Sequence, residues 1–527
     1  MNFAVTPYHA TIAHILEGLA EAIYDYIYVR HKEPQHIIEA LLAAGIPKEQ
    51  LIAHRDISLV TTYDVAGVHF RETDCLQVFK QQFPNKLAGQ SVHSQEAAII
   101  AASQQADYLF FGHVFPSASK QQQTPKGLTT LQRVCQAVSI PVIAIGGMHI
   151  GVEQQIRAVG AHGMAMISSI FSRFDVLVVG GGVMGCATAW RLAEAGQRVA
   201  VIEQQTIGSG ASNAAGGMLG AQNEWAEENP LQPFALEARE AYPALQRELL
   251  ALTGIDIEWQ NAGLIKVADT ALEQQALTTQ YAYWQQHEVA WFDDVSQCDA
   301  YVHAACGLYF QRDGQVNARQ LTEAYKQAML RYDVQVFEHE QVVDVFDGGV
   351  RTIHQTLFAD KVVVTTGAWG DADCVSPVKG ECVMLHAPDV QLEKTIFHAN
   401  GCYIVPKANH RFLIGATSIA NDFSRHVTAK GVQWLLDQAL RIVPALATAA
   451  IVETWTGLRP QTRDGLPLMG LHPTIPNVYV HQGHYRNGIL LSHCLSEKMA
   501  RLILGDRAIL TQVEAFSPSR LMKEVST

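Results

Sequence analysis

Short runs of apolar residues alternate with helical patterns along the first 171 residues. Amphipathic segments such as PQHIIEALLAAG, which ends at Gly45, separate several of these runs. Eight strands alternating with helices predict a parallel sheet closed into a (β/α)8 barrel of the TIM type, with an open doubly wound sheet as the alternative. The predicted strands are residues 3–5, 24–29, 51–53, 67–70, 89–92, 108–111, 141–145 and 164–167.

A second strand-and-helix pattern begins almost directly after the last of these strands. Only Ser172 and Arg173 separate the two patterns, so there is no room for the final helix of a complete barrel. We therefore predict two domains, over residues 1–171 and 174–527, the first being a barrel that lacks its last helix.

The turn after the apolar strand 174–179 has the glycine spacing of a dinucleotide-binding site. Gly180 permits a tight turn, Gly182 lets the backbone approach a pyrophosphate, and Gly185 lets the next helix pack closely on the strand. The following strand ends at Glu203, placed to accept hydrogen bonds from ribose hydroxyls. A glycine-rich turn without a ligand is the alternative. The complete order of elements favours a Rossmann-like site, and Glu203 would repel the 2′-phosphate of NADP.

Residues further along the chain favour FAD over NAD. A run of small residues over 207–219 includes Ser212, Gly217 and Met218, and would let the backbone approach a flat, buried ring. A flexible loop is the alternative interpretation. Another apolar strand ends at Gly367 and is suited to return to the same site.

Composition and charge exclude several other classes of protein. The 527 residues are 48% hydrophobic and 17% charged, which is typical of large globular cores. A formal net charge of −13 without a basic run argues against nucleic acid as a partner. The sequence has neither a secretory signal nor an apolar run long enough to span a membrane, and its nine cysteines form no C-x-x-C pair. We expect a cytoplasmic enzyme that forms a closed homo-oligomer and holds no metal.

Several longer stretches of the second region carry a family resemblance. They are GASNAAGGMLGAQNE (210–224), VKGECV (378–383), CYIVPK (402–407), LIGAT (413–417), TGLRPQTRDGLPLMG (456–470) and GHYRNGILL (483–491). In these stretches the region from about 174 to 520 resembles the D-amino-acid oxidase superfamily, and within it the glycine oxidases (ThiO-type) of thiamine biosynthesis. The resemblance implies FAD as cofactor, an FAD-binding domain interleaved with a mixed-sheet substrate domain, and oxidation of a small amine by dioxygen.

The resemblance also implies roles for individual residues. Val342 matches the residue whose backbone contacts the adenine, and Tyr403, Arg459 and Arg486 match residues that hold the substrate. A guanidinium binds a carboxylate through two hydrogen bonds, so Arg459 is the main candidate for the carboxylate of an amino acid. A structural ion pair for the arginines and a core position for Tyr403 are the alternatives.

Asn487 and Gly488 begin a predicted helix, 489–504, whose first amides would stabilise negative charge on the N1–C2=O edge of the reduced flavin. Gly401 and Ser418 depart from the residues that some relatives have at these positions. These departures leave glycine, sarcosine and small D-amino acids open as substrates.

Polar residues follow the predicted barrel strands at the end where such barrels place their chemistry. Gly146 and Gly147 after strand seven, and Ser168 and Ser169 after strand eight, suit a phosphate site made of backbone amides. Four histidines also lie at predicted strand ends, and packing is the alternative for each: His54, His69, His93 and His113.

The barrel region resembles the thiamine-phosphate synthase family, and within it the thiazole tautomerase (TenI-type) branch. The resemblance covers residues 1–171 and rests on GQSVHSQEAA (89–98), ADYLFFGHVF (106–115), IPVIAIGGM (140–148) and MISSIF (166–171). A synthase needs an acid after strand three, where this chain has Ala53-His54-Arg55, although Asp74 remains.

His113 matches the residue that moves a proton in the tautomerases, and an imidazole suits that task near neutral pH. We therefore expect a bifunctional enzyme that oxidises glycine and aromatises a thiazole phosphate carboxylate. The alternatives are an oxidase of another small amine and a barrel that is a thiamine-phosphate synthase or a non-catalytic scaffold.

Overall fold

The computed structural model describes residues 1–20, 22–115, 124–149, 152–171, 173–370 and 373–522, so Ser172 of the predicted spacer lies outside the described residues. The chain divides into two compact units. The first consists of Met1–Asp175 and Val342–Val362, and the second of Val176–Gln341 and Val363–Thr527. No helix within the described ranges is long and apolar enough to cross a membrane.

The N-terminal part of the first unit is a closed barrel of eight parallel strands, as predicted. Its strands and helices are β1 (Phe3–Val5), α1 (Ile12–Ala20), β2 (Tyr26–Val29), α2 (Pro34–Ala43), β3 (Leu51–His54), α3 (Ser58–Tyr63), β4 (Gly67–Phe70), α4 (Gln77–Gln82), β5 (Leu87–Val92), α5 (Gln95–Ser103), β6 (Tyr108–Gly112), α6 (Gly127–Ala137), β7 (Val142–Ile145), α7 (Glu153–Ala158), β8 (Gly163–Met166) and α8 (Ser168–Phe171). Within the described ranges, only the single turn of α8 follows β8, in agreement with the predicted barrel that lacks a full-length last helix.

The side chains of the barrel strands are buried on both faces. Along β6, Tyr108 and Phe110 point into the barrel, where both contact Phe3, and Leu109 and Phe111 belong to the layer beneath the helices. Because a parallel strand covered on both faces is mostly apolar, most of these strands form near-continuous apolar runs in the sequence, although β4 contains His69 and β5 contains Gln90 and Ser91.

The rest of the chain alternates between two large sheets and also forms a small two-stranded sheet. Its elements are β9 (Arg173–Val179), α9 (Val183–Glu194), β10 (Val199–Ile202), α10 (Ala211–Ala214), β11 (Met218–Leu219), α11 (Gln232–Thr253), β12 (Leu264–Ala268), α12 (Ala271–Trp284), β13 (Val289–Phe292), β14 (Cys306–Phe310), β15 (Gly314–Gln315), α13 (Ala318–Arg331), β16 (Gln335–Phe337), β17 (Val342–Phe346), β18 (Gly349–Thr352), β19 (Thr356–Val364), β20 (Val375–His386), β21 (Thr395–His398), β22 (Tyr403–Lys407), β23 (Arg411–Gly415), β24 (Ile419–Ala420), α14 (Ala429–Ile442), β25 (Ala450–Thr462), β26 (Leu468–Leu471), β27 (Val478–Gln482), α15 (Gly488–Ile503) and α16 (Ala508–Gln512).

The second unit contains a Rossmann-like sheet and a mixed sheet. In the former, β16, β10 and β9 are parallel neighbours, and α9 packs against α13 and α15. The latter has the order β13-β14-β12-β21-β22-β23-β20-β24, and β25 pairs with β20 over a long antiparallel stretch. The strands of the two sheets alternate along the chain, which confirms the predicted interleaved domains.

Residues Val342–Val362 form an antiparallel hairpin that belongs to the first unit. β17 pairs with β18, and β18 pairs with the first residues of β19. The chain continues along β19 into the second unit.

All nine cysteines are free thiols. Six of them are buried: Cys186, Cys306, Cys374, Cys382, Cys402 and Cys494. Cys75 is exposed, and the other two are half-buried.

Candidate active sites

The turn between β9 and α9 accepts only glycine at its critical positions. Gly180 has φ +106°, and a Cβ there would lie 2.6 Å from the carbonyl oxygen of Thr365. A Cβ on Gly185 would lie 1.9 Å from the carbonyl oxygen of Gly180. The backbone N–H of Gly181 donates to Oε2 of Glu203 at 2.8 Å, so the predicted ribose-binding carboxylate lies at this turn.

One of the small residues predicted to contact the cofactor, Ser212, lies next to the same turn. The N–H of Val183 donates to Oγ of Ser212 at 2.9 Å, and a Cβ on Gly182 would lie 3.3 Å from that oxygen. Just after the end of β19, Oγ1 of Thr366 is buried without a hydrogen-bond partner. The next residue, Gly367, has φ +59°. A backbone cradle, a helix N-terminus and an unpartnered hydroxyl fit a dinucleotide such as FAD.

Val342 opens β17, where it is the register partner of Thr352, and it belongs to the first unit. Its contact with the adenine therefore stays a prediction.

A cavity of about 100 Å³ in the second unit brings the three predicted substrate residues together. Its lining also includes six members of the small-residue run 207–219 and the residue before α15. The sequence-predicted residues in this lining are Gly217, Met218, Tyr403, Arg459, Arg486 and Asn487. Gly401 lines the cavity as well, whereas Ser418 is not among its lining residues.

Arg459 is positioned by the long pairing of β20 with β25. It is the register partner of Val378, and a Cβ on Gly380 would lie 2.7 Å from Nη1 and from Nη2 of its guanidinium. Nη1 donates to the carbonyl oxygen of Thr417 at 3.2 Å. Among the described residues, no carboxylate lies within ion-pairing distance of Arg459. Its charge is thus left for a ligand in the cavity.

Tyr403 lies in β22 with only 8% of its surface exposed. A Cβ on Gly415 would lie 2.4 Å from the Tyr403 ring, so glycine makes room for the ring. Burial raises the pKa of the Tyr403 hydroxyl, which keeps it protonated and able to donate a hydrogen bond. The hydroxyl lies 3.9 Å from Sγ of Cys382, whose pKa burial raises to about 11.

Two charged residues near this cavity are absent from the sequence-predicted site. Glu224 is a lining residue, and Lys266 of β12 donates from Nζ to the carbonyl oxygen of Asn223 at 3.1 Å. Burial lowers the pKa of Lys266 to about 8. A lone lysine within an apolar strand is the signal that would have drawn attention to Lys266, and Glu224 ends the stretch 210–224 that carries the family resemblance.

The helix α15 begins at Gly488, directly after Asn487 of the cavity. The carbonyl oxygen of Asn487 accepts the first hydrogen bond of the helix from Leu491 at 2.9 Å. The first-turn amides of a 16-residue helix favour negative charge at this end.

A second cavity, of about 190 Å³, lies in the first unit at the carboxyl end of the barrel strands. Four of the five residues predicted for the barrel site line it: His113, Gly146, Gly147 and Ser168. Ser169 is not a lining residue, and its Oγ is buried without a hydrogen-bond partner.

His113 is fixed by the loops that follow β6 and β7. Its side chain is 4% exposed, and its carbonyl oxygen accepts a hydrogen bond from the N–H of Lys126 at 2.8 Å. Gly146 has φ +94°, and a Cβ there would lie 2.3 Å from Cβ of His113. The glycine after β7 is therefore required for the imidazole to lie against the predicted phosphate loop.

The other strand-end histidines have different surroundings. His69 is fully buried and bonds through its ring nitrogens to the hydroxyls of Tyr108 and Ser91, so it is a packing residue inside the barrel. His54 bonds to the hydroxyl of Tyr28. His93 lines the cavity and bonds to Glu72.

Asp74, the acid retained in this region, is bound by its neighbours. Arg55 donates to it from Nε at 2.7 Å, and the N–H of Arg71 donates at 2.9 Å. Within the described ranges, no group of three histidine, cysteine, aspartate or glutamate residues is arranged to hold a metal ion.

Comparisons with known proteins divide the chain near residue 175, where the first compact unit also ends its N-terminal part. The family described as thiamine monophosphate synthase matches residues 3–170, and the family described as FAD dependent oxidoreductase matches residues 175–502. The glycine oxidase of Geobacillus kaustophilus is 43% identical over 350 residues, which cover 63% of this chain and 93% of that protein.

Two further comparisons agree with this result. A crystal structure of glycine oxidase from Geobacillus kaustophilus has a TM-score of 0.62 at 41% identity, covering 67% of this chain and 99% of that chain. The bifunctional protein ThiO/ThiG of Synechocystis sp. is 32% identical over 367 residues, which cover 66% of this chain and 54% of that protein. The chain therefore belongs to the FAD dependent oxidoreductase family, with FAD as its cofactor, and carries ahead of that region a barrel similar to the thiamine monophosphate synthase family.

Proposed function

We propose that the second unit oxidises glycine to its imine while dioxygen is reduced to hydrogen peroxide. The observation that carries this proposal is the guanidinium of Arg459, which faces a small cavity and has no carboxylate partner among the described side chains. The similarity to glycine oxidases supports the same substrate.

FAD, when bound, would supply the two-electron chemistry, as an acceptor for the hydride of the substrate Cα that dioxygen can reoxidise. The protein's own residues bind and orient the amine. Arg459 and the protonated hydroxyl of Tyr403 hold the carboxylate, and the amides at the start of α15, with Asn487 and Gly488, favour negative charge at their end of the cavity.

We also propose that the barrel, residues 1–171, aromatises a thiazole phosphate carboxylate, while residues 174–527 form the oxidase. His113 moves the proton on and off carbon, and the amides of Gly146 and Gly147 together with Ser168 bind the phosphate. Asp74 is already bound by Arg55 and Arg71, which favours this reaction over that of a thiamine-phosphate synthase. The two reactions would serve one pathway, because the imine is consumed in building the same ring.

Peroxide release from the purified, FAD-loaded protein under air tests the oxidase proposal. We expect a higher kcat/KM with glycine than with sarcosine or D-alanine. Gly401 leaves one wall of the cavity without a side chain. Sarcosine and D-alanine, which each carry one more methyl group than glycine, are therefore tested as alternative substrates. A protein that favours one of them would keep the oxidase and replace glycine as its substrate.

A His113→Asn variant tests the barrel proposal. We expect it to lose isomerisation of the thiazole phosphate carboxylate and to keep the peroxide release of the unaltered protein. The exposed His36 of α2 provides the matched control, and His36→Asn should keep both activities. Isomerisation that persists in His113→Asn would refute the role of His113.

A further inference from the structure

Two residues of the barrel cavity come from a distant part of the chain. Thr356 and Phe358 line the same cavity as His113, Gly146 and Gly147. They lie in the hairpin of the first unit, although their sequence falls within the range that matches FAD dependent oxidoreductases. The barrel site is therefore not built from the barrel sequence alone.

The hairpin presents these two residues on one side of β19. Residues two apart in a strand point to the same face, so Thr356 and Phe358 lie side by side. Their register partners in β18 are Arg351 and Gly349, respectively. Phe358 is 3% exposed and Thr356 is 9% exposed, so both side chains are covered by the first unit.

A stacking contact fixes the hairpin to the loop that follows β7. The ring of His149 is stacked on the ring of Phe346, with centroids 3.9 Å apart and an interplanar angle of 16°. The centroid of the same His149 ring lies 5.7 Å from that of Phe358. Burial, aided by the charge of Arg351, lowers the pKa of His149 to about 4, so the stacked ring is neutral. The contact begins two residues beyond Gly147, which ties the hairpin to the predicted phosphate loop.

We propose that Phe358 and Thr356 are specificity-determining residues of the barrel site. Phe358 supplies a flat apolar wall for a heteroaromatic ring, and Thr356 extends that wall with a small polar side chain. The phosphate of the same ligand would lie at Gly146 and Gly147. This inference rests on the proposed function of the barrel, and it adds that the ring of the ligand is selected by the hairpin.

The test compares three variants of the full-length, FAD-loaded protein. Phe358→Ala removes the wall and should raise the KM for the thiazole phosphate carboxylate about tenfold, with kcat changed by less than about twofold. Phe358→Leu keeps an apolar volume without the ring and should raise KM about threefold. Val350→Ala is the matched control, because Val350 is fully buried in β18 of the same hairpin and does not line the cavity.

An unchanged KM in Phe358→Ala and Phe358→Leu would overturn the inference. An equal increase in Val350→Ala would overturn it as well, since a loosened hairpin would then explain the effect. If Phe358→Ala does not fold, the KM of Phe358→Leu is compared with that of Val350→Ala. The inference stands if only Phe358→Leu has a raised KM and is overturned if the two values are equal.

A calorimetric titration with the aromatic thiazole phosphate carboxylate separates this inference from the proposed isomerase. Binding without isomerisation in the unaltered protein would refute the isomerase alone. The inference then stands if Phe358→Ala weakens binding about tenfold and is overturned if binding is equal. An unaltered protein that does not bind this compound would overturn both.

Discussion

The guanidinium of Arg459 carries the residue-scale argument for the oxidase. It lies where glycine at position 380 leaves space for it, and its Nη1 donates to the backbone carbonyl oxygen of Thr417 at 3.2 Å. A bidentate contact with a carboxylate would add two charge-assisted hydrogen bonds. Binding of an amino acid should therefore depend strongly on this one side chain.

We expect Arg459→Ala to raise the KM for glycine about 100-fold, because truncating one partner of a buried charged pair typically costs about 2–5 kcal/mol. Steady-state peroxide release at varied glycine concentration measures the change. Arg463, four residues further on, is exposed and provides the control, so Arg463→Ala should leave KM unaltered. A KM that rises less than about threefold in Arg459→Ala would remove Arg459 from the substrate site.

Motif residues of the candidate sites could be predicted from the sequence, whereas residues added by packing could not. Tyr403, Arg459 and Arg486 fall within recognisable stretches, and the structure places them in one cavity. Thr356 and Phe358 look like ordinary members of an apolar strand. Their place beside the barrel depends on contacts between segments far apart in the sequence, which no local pattern encodes.

At the scale of elements, the β9–turn–α9 unit depends on close contact between its own backbone segments. A Cβ on Gly185 would meet the carbonyl oxygen of Gly180 at 1.9 Å and Oγ1 of Thr365 at 2.8 Å. Neither position offers the flexible end of a long side chain that could move aside. The helix would have to shift away from the strand, and its N-terminal amides would move with it.

We expect Gly185→Ala to weaken FAD binding about 10- to 100-fold, as overpacking of about 1–3 kcal/mol implies. Titration of the apoprotein with FAD, followed by flavin fluorescence, measures the affinity. Glu194→Gln is the control, because Glu194 is exposed and lies at the opposite end of α9 from the glycine turn. Equal affinity for FAD in the Gly185 and Glu194 variants would contradict the close-packing argument.

Elements with a strong periodic signal are the ones that the sequence predicts well. Each barrel strand is predicted to within two residues, because burial on both faces makes most of these strands near-continuous apolar runs. The long pair β20 and β25 is different, since β25 is exposed over its first half and passes into the cavity only near Arg459. Its antiparallel partner lies about 75 residues away and could not be identified from periodicity.

For the whole molecule, buried neutral histidines predict a loss of stability in acid. Burial lowers the pKa of His69 in the barrel and of His481 in β27 to about 3. A histidine in the unfolded chain titrates near 6.5. Between about pH 3 and 6.5 the unfolded state binds more protons, so the free energy of unfolding rises with pH across this window and falls as the solution is acidified.

We expect His481 alone to lower the free energy of unfolding by about 2 kcal/mol when the pH falls from 7 to 5. Urea unfolding of the FAD-loaded protein at both pH values measures the total fall in the free energy of unfolding. In His481→Gln this fall should be smaller by about 2 kcal/mol. His36→Gln, at an exposed position, should retain the pH dependence of the unaltered protein. The same pH dependence in His481→Gln and the unaltered protein would mean that the buried imidazole is not the acid-sensitive group.

The burial of the cysteines has a consequence for the lifetime of the enzyme. The proposed reaction releases hydrogen peroxide into the cavity lined by Cys382, and peroxide oxidises the thiolate form of cysteine far faster than the thiol. Burial raises the pKa of Cys382 to about 11 and those of Cys186, Cys402 and Cys494 to about 12, so these groups stay protonated thiols. The catalyst is thereby protected from its own oxidant, and sulfenic acid should form first at the exposed Cys75.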